Sequence, residues 1–352
     1  MIISAQRQDK MDKFRRQAIW VLLSLAVLSG VVQSKKDKNP TALVTIGILA
    51  QPASDVMRLQ YYHPKENWTF VPGSYVDWVG STGAMPVLIP FDLKQKDMDR
   101  ILENIDGILL PGGGADLIRL DDLSKPTPYQ ISMDYIIKWA MKRNDAGQYF
   151  PLFATCLGFE GLIISATNTT KTLECDLDDE VVAHSVQLLP DFDKSPFWKE
   201  VGLDLAKKVF ARDSIYYTHN CGIRTASWKN NQILMRDFNL LGTSVAKNGI
   251  EFVANIEHKK YPFVSNQWHP EKNPFERGHL YHFLDRSSDA TTLMSRIAAK
   301  FVGPIREKGK PKDVRDVDAL VKSYFVSNLM AEYLPLSFYE RVYTFQRYNY
   351  YE

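Results

Sequence analysis

Cysteine is scarce in this chain: Cys156, Cys175 and Cys221 are the only three in 352 residues. So sparse a set excludes a disulfide-dense scaffold, and an odd count in a secretory protein leaves one thiol free and open to reaction. Charge of one sign is also lacking. The net charge is +2, which excludes a basic field for nucleic acid and an acidic bias alike. There is no basic stripe with interleaved aromatics and no internal repeat. Beyond the N-terminus, no apolar run is long enough to span a membrane.

What is present begins with a targeting pattern. Lys10, Lys13, Arg15 and Arg16 precede an apolar run over 18–32, small residues ending at Ser34, and then Lys35 and Lys36. A basic region, a short apolar region and a small-residue exit describe a secretory signal peptide over 1–34, with Met11 as an alternative start. An uncleaved signal anchor is the other reading. Residues 35–40 form a polar linker, 41–310 the main domain, and 311–352 an aromatic-rich extension packed on it. Two Asn-x-Thr acceptors, at Asn67 and Asn168, fit the secretory route. Cys175 and Cys221 either pair, leaving Cys156 free, or remain two buried thiols.

From residue 41 the chain alternates β and α. Apolar runs over 41–50, 85–90, 106–110 and 149–154 read as strands, and 74–83, 96–104, 129–143 and 157–166 as helices. Residues 51–69 read as a loop. This order predicts an α/β fold, a three-layer doubly wound sheet that is mostly parallel. Further on, 250–257 reads as part of a hairpin, 263–268 as a strand and 290–301 as a helix, while 171–210 shows no clear pattern. In such sheets ligands sit outside the carboxyl ends of the strands. Two signals land on that rim. Pro111 and Gly112 to Gly114 follow a buried strand, and the missing lysine and hydroxyl of a phosphate loop leave an oxyanion hole as their use. Cys156 lies between strand and helix, flanked by Ala154 and Gly158 at two residues' distance. That is a thiol form of the nucleophile elbow, with a helix N-terminus that favours thiolate. The plainer reading is one more buried cysteine.

A thiolate needs a base held in register. His269 ends an apolar strand, and Glu271 two positions on points to the same side of an extended chain. Alone, such a pair reads as a surface turn. The glycine loop, Thr155 to Gly158 and Gln267 to Glu271, in this order, resemble the class I glutamine amidotransferase superfamily with its flavodoxin-like core. Within it, Cys156 to Glu160, Pro111 to Gly113, His219 with Gly222 and Ile223, and Gln267 to Lys272 resemble the γ-glutamyl hydrolase family most closely. The resemblance implies Cys156 as nucleophile, His269 as base and acid, and Glu271 as its orienting partner. It implies the Gly113 and Leu157 N–H groups as oxyanion hole, Glu160, His219, Gly112 and Tyr75 as substrate-binding residues, and no metal or organic cofactor. Ala154 stands for the usual Gly, small enough that no loss is expected; Thr218 for the usual Asn and the unusual Cys221 beside the pocket histidine bear on substrate preference more than on activity. The other histidines read as surface or structural.

The function so implied is cysteine-dependent hydrolysis of folate poly-γ-glutamates, in the extracellular space or the lysosome or vacuole. The expected partner is that small-molecule substrate, with no nucleic acid and no stable membrane span after signal cleavage; a homodimer is left open. The alternatives are a glutaminase-type amidotransferase, a hydrolase of other γ-glutamyl amides, and an inactive binding module on the same fold.

Overall fold

The computed structural model describes residues 43–53, 68–278, 281–308, 316–328, 331–333 and 341–346. The predicted signal peptide and linker, the Asn67 acceptor, most of the 51–69 loop and nearly half of the C-terminal extension lie outside them. The strands, in chain order, are β1 Thr45–Pro52, β2 Trp68–Pro72, β3 Met85–Pro90, β4 Gly107–Leu110, β5 Ile118–Arg119, β6 Asp122–Pro126, β7 Leu152–Thr155, β8 Asp179–His184, β9 Gln187–Leu188, β10 Ile215–His219, β11 Phe238–Val245, β12 Glu251–His258, β13 Phe263–Asn266, β14 Ala331–Tyr333 and β15 Arg341–Gln346.

The centre of the main sheet is parallel. β3 pairs β1, β1 pairs β4, β4 pairs β7 and β7 pairs β13, all parallel. β12, β11 and β9 continue antiparallel on one side. On the other, β2 pairs the end of β1, and β15 and β14 follow. β5–β6 and β8–β10 form two small separate ladders. The central strands are short continuous apolar runs because both faces are covered.

Side-chain alternation divides that sheet between two cores. Ile46, Ile48, Leu109 and Phe153 face one core, with Trp78 of the helix Gly73–Gly80 and Leu293, Ile297 and Phe301 of the helix Ser288–Lys308. Leu49, Ile108, Leu110, Leu152 and Ala154 face the other. There the helices Gln95–Asn104, Pro128–Asp145 and Leu157–Thr167 bring Ile101, Met133, Ile137 and Phe159. The result is the expected α/β sheet between two helical layers. Gly47 shows how closely they pack: a Cβ there would sit 2.6 Å from Ile105 Cδ1 and 2.8 Å from Ile108 Cδ1.

Two strand assignments differ from the sequence reading, and one alternative that it left open, the pairing of Cys175 with Cys221, is decided. Residues 68–72 are a strand, drawn into the sheet by β1 and β15. Residues 179–184 and 215–219, the first within the stretch that showed no pattern, pair with each other. Cys175 and Cys221 form a disulfide, so Cys156 is the free thiol.

Candidate active site

The site follows from the strand order. β4, β7 and β13 are neighbours and parallel, so their carboxyl ends open on one rim. β4 runs into the 111–114 glycine loop, β7 into Cys156 and β13 into the segment carrying His269. Cys156 has φ 50° and ψ −109°, a strained conformation for a residue with a side chain. It is held there from both sides. Its N–H donates to the Asn266 carbonyl at 2.8 Å, and its own carbonyl accepts the first helical bond, from Glu160 N–H, at 2.9 Å. Gly158 allows the turn: a Cβ would lie 2.2 Å from the carbonyl oxygen of Leu110 in the adjacent strand.

His269 is buried beside it. Its Nδ1 lies 2.8 Å from Glu271 Oε1, which is itself fully buried. A carboxylate accepts, so Nδ1 carries the proton and Nε2 keeps its lone pair. Nε2 has no hydrogen-bond partner among the described residues. Glu271 does not reach His269 through extended chain. It has φ −77° and ψ −20° and stands at the start of the short helix Lys272–Phe275, so a tight turn after Pro270 brings the carboxylate back.

Gly112 is where these groups converge. A Cβ on it would lie 2.6 Å from His269 Cε1, 2.7 Å from Tyr75 Oη and 3.0 Å from Cys156 Cβ. Tyr75 Oη accepts from Gly112 N–H at 2.7 Å and stands 3.2 Å from His269 Nδ1. It therefore ties the glycine loop to the imidazole. Gln51, at the end of β1, donates from Nε2 to the Gly112 carbonyl at 3.0 Å. Sequence reasoning left Gln51 at the start of a loop; its place at a strand's carboxyl end was the available signal.

The electrostatics differ from the expected resting thiolate. Burial, and then the negative charges of Glu160 and, less, Glu271, push the Cys156 thiol well up; the Leu157 N–H and Lys272 act the other way. Glu160 is itself pushed up to about 8 by burial, against a hydrogen bond from Gln267 Nε2 at 3.0 Å. It is thus protonated at neutral pH, and burial is left as the dominant effect on the thiol. Burial outweighs the helix N-terminus, and Cys156 rests as a thiol with Sγ 3.8 Å from the Thr218 carbonyl.

His219 lies at the end of β10, opposite Asp179 of β8 across an irregular register. Its Nδ1 is 2.9 Å from the Cys221 carbonyl and its Nε2 faces Asp179. His219 and Gln267 both flank Gly222: its Cβ position is 3.4 Å from Gln267 Oε1 and 3.8 Å from His219 Nδ1. Asp179 and Gln51 were not singled out from sequence, whereas Thr218 was, as a departure from the family pattern.

Comparison with known proteins identifies the family of the chain. The sequence profile of the peptidase C26 family matches residues 45–271. The γ-glutamyl hydrolase of Homo sapiens is 30% identical, over 74% of this chain and 77% of its own. γ-Glutamyl hydrolase 1 of Arabidopsis thaliana is 28% identical, over 83% and 81% respectively. γ-Glutamyl hydrolase B of Dictyostelium discoideum is 28% identical, over 79% and 76%. On the extent of the profile match and these relatives, the chain is a hydrolase that belongs to the peptidase C26 family.

Proposed function

We propose that this protein hydrolyses γ-glutamyl bonds of folate poly-γ-glutamates through a thioester on Cys156. The observation that carries this reading is the convergence of the strained Cys156, the His269–Glu271 pair and Gly112 on one strand-end rim. In the first step the Cys156 S–H proton passes to His269 Nε2 as sulfur adds to the γ-carbonyl carbon. The imidazolium is stabilised by Glu271, and the tetrahedral oxyanion is held by the Leu157 and Gly113 N–H groups. Gly112 cannot serve in that role, because its N–H is taken by Tyr75. Collapse breaks the C–N bond, and His269 returns its proton to the leaving amine. Water then adds to the thioester, giving a proton to His269; the C–S bond breaks as that proton passes to sulfur, the shortened pteroyl-γ-glutamate leaves with a free γ-carboxylate and the thiol is restored. Every proton is carried by Cys156, His269 and water.

The raised Cys156 explains why the base must act in concert with attack. A thiol buried this way ionises only as its proton is taken up. Glu160, neutral and bonded to Gln267, offers a donor to a substrate carboxylate beside the nucleophile.

The substrate class rests on the relatives' names and on the family resemblance of Cys156 to Glu160 and Gln267 to Lys272. A secretory route, ending outside the cell or in the lysosome or vacuole, is supported by the 1–34 pattern and by the Cys175–Cys221 disulfide, which suits an oxidising compartment. Among the described residues, no helix is long and apolar enough to cross a membrane. The test is the shortening of a pteroyl-poly-γ-glutamate by the full chain and by Cys156→Ala. Turnover confined to the unaltered chain is expected. Turnover of glutamine alone, or none with any γ-glutamyl amide, overturns the reading.

A further inference from the structure

A buried cluster that the reaction above does not use lies beside the 218–222 turn. His184 Nε2 is 2.6 Å from Asp179 Oδ1, and His219 Nε2 is 3.6 Å from Asp179 Oδ2. The side chains of His219 and Asp179 are 2% and 0% exposed. Asp179 Oδ2 and His219 Nε2 face each other, yet neither has a hydrogen-bond partner among the described residues. Among the described residues, no group of His, Cys, Asp and Glu is arranged to hold a metal ion.

Counting protons explains the gap. A carbonyl only accepts, so the contact with Cys221 places a proton on His219 Nδ1 and leaves Nε2 an acceptor. Nε2 then looks at a carboxylate oxygen, a second acceptor. Three contacts need three protons: His184 to Asp179, Asp179 to His219, and His219 to Cys221. With the carboxylate ionised, each imidazole brings one proton to these contacts, which makes two. The cluster is one proton short.

We propose that Asp179 takes up this proton and is the positioning residue that fixes His219 and the 218–222 turn against Cys156. The proposal rests on the hydrolase reading above for its effect on substrate. The turn is held at both ends: Cys221 is tied to Cys175, Gly222 exchanges backbone hydrogen bonds with Glu174, Asn220 donates to Glu180, and the Thr218 carbonyl sits against Cys156 Sγ. Burial decides where the proton goes. It raises Asp179 to about 6, with Asp178 pushing the same way and His184 and Lys247 opposing. It lowers His219 to about 3, with His269 and His184 adding to the effect and the Cys221 carbonyl opposing. Tyr217, the remaining titratable neighbour, stays protonated, since burial raises it and the Asp179 charge adds to that. The proton therefore resides on Asp179. It leaves as pH rises through about 6, and His219 must then turn its own proton toward Asp179 and give up Cys221.

Asp179→Asn separates this from a merely structural role. Its amide oxygen accepts from His184 and its NH₂ donates to His219, so it imitates the protonated form at every pH. KM for pteroyl-poly-γ-glutamate is expected to rise roughly tenfold in the unaltered chain as pH crosses the Asp179 transition, the effect of losing one buried hydrogen bond. In Asp179→Asn that rise is absent, and in Asp179→Ala KM is high throughout. Histidine-selective ¹⁵N NMR of the full chain reads the same event without substrate: His219 keeps its Nδ1–H tautomer across the range in Asp179→Asn and exchanges it in the unaltered chain. A profile of Asp179→Asn that tracks the unaltered chain, or one fixed His219 tautomer in both proteins, overturns the proposal. Absence of any turnover by the unaltered chain counts against the hydrolase reading instead, and the NMR comparison still decides the role of Asp179.

Discussion

Glu160 gives the sharpest test of the electrostatics around the nucleophile. Burial raises its carboxyl from 4.5 to about 8. Between those values the folded state keeps a proton that the unfolded state has released. The stability tied to that proton is complete below about 4.5 and is lost as pH rises through about 8. At about pH 7 the span is some two and a half pH units at about 1.4 kcal/mol each, or roughly 3 kcal/mol. That is a large share of the roughly 5–15 kcal/mol that holds a domain folded. Glu160→Gln removes the titration, and its carbonyl can still accept from Gln267. Other titrating groups, Asp179 and His219 among them, are common to both proteins and cancel in the difference. The assay is urea unfolding of both proteins across that range. The gap in unfolding free energy should widen in favour of Glu160→Gln by roughly 3 kcal/mol by about pH 7. A gap that stays constant would mean that Glu160 is ionised throughout. A permanent negative charge would then stand beside Cys156, and the reasoning about the resting thiol would fail.

Further outcomes follow from single contacts. Tyr75→Phe leaves the buried Gly112 N–H without its partner and removes the hydroxyl beside His269; kcat is expected to fall about tenfold or more, with about 1–3 kcal/mol of stability lost in thermal unfolding. Unchanged kinetics would remove Tyr75 from the positioning of the base. Gly158→Ala forces a Cβ to 2.2 Å from the Leu110 carbonyl oxygen, backbone that a central strand cannot move. A loss of about 3 kcal/mol or failure to fold is expected, and a stable, active variant would show that the elbow is not packed this way. Gln51→Ala frees the Gly112 carbonyl and lets the oxyanion loop relax; kcat should drop several-fold while Cys156 keeps its rate of alkylation by iodoacetamide. Equal kcat would leave Gln51 with no part in holding the loop.

The sequence spoke most clearly where burial is complete. Residues 85–90 and 107–110 are covered on both faces, so each is a continuous apolar run with sharp ends. The thiol elbow and the histidine segment were legible because each follows such a run at the same edge of the sheet. Other parts had no local signal. Trp68–Pro72 became a strand through partners far away in the chain. Asp179 looked like one of several acidic residues around 176–180, and only pairing with β10 buries it. The disulfide joins residues separated by 46 positions, which spacing alone did not settle. Glu271 reached His269 by a turn, where alternation along an extended chain was expected, although the contact is the same.

The central claim is that Cys156 forms a covalent γ-glutamyl thioester. The most direct measurement is acid quench of the full chain during turnover of a pteroyl-poly-γ-glutamate, followed by peptide mapping by mass spectrometry. A pteroyl-γ-glutamyl adduct on the peptide that contains Cys156, absent from Cys156→Ala together with all turnover, is the expected result. Undiminished turnover by Cys156→Ala, with no adduct in the unaltered chain, would contradict it.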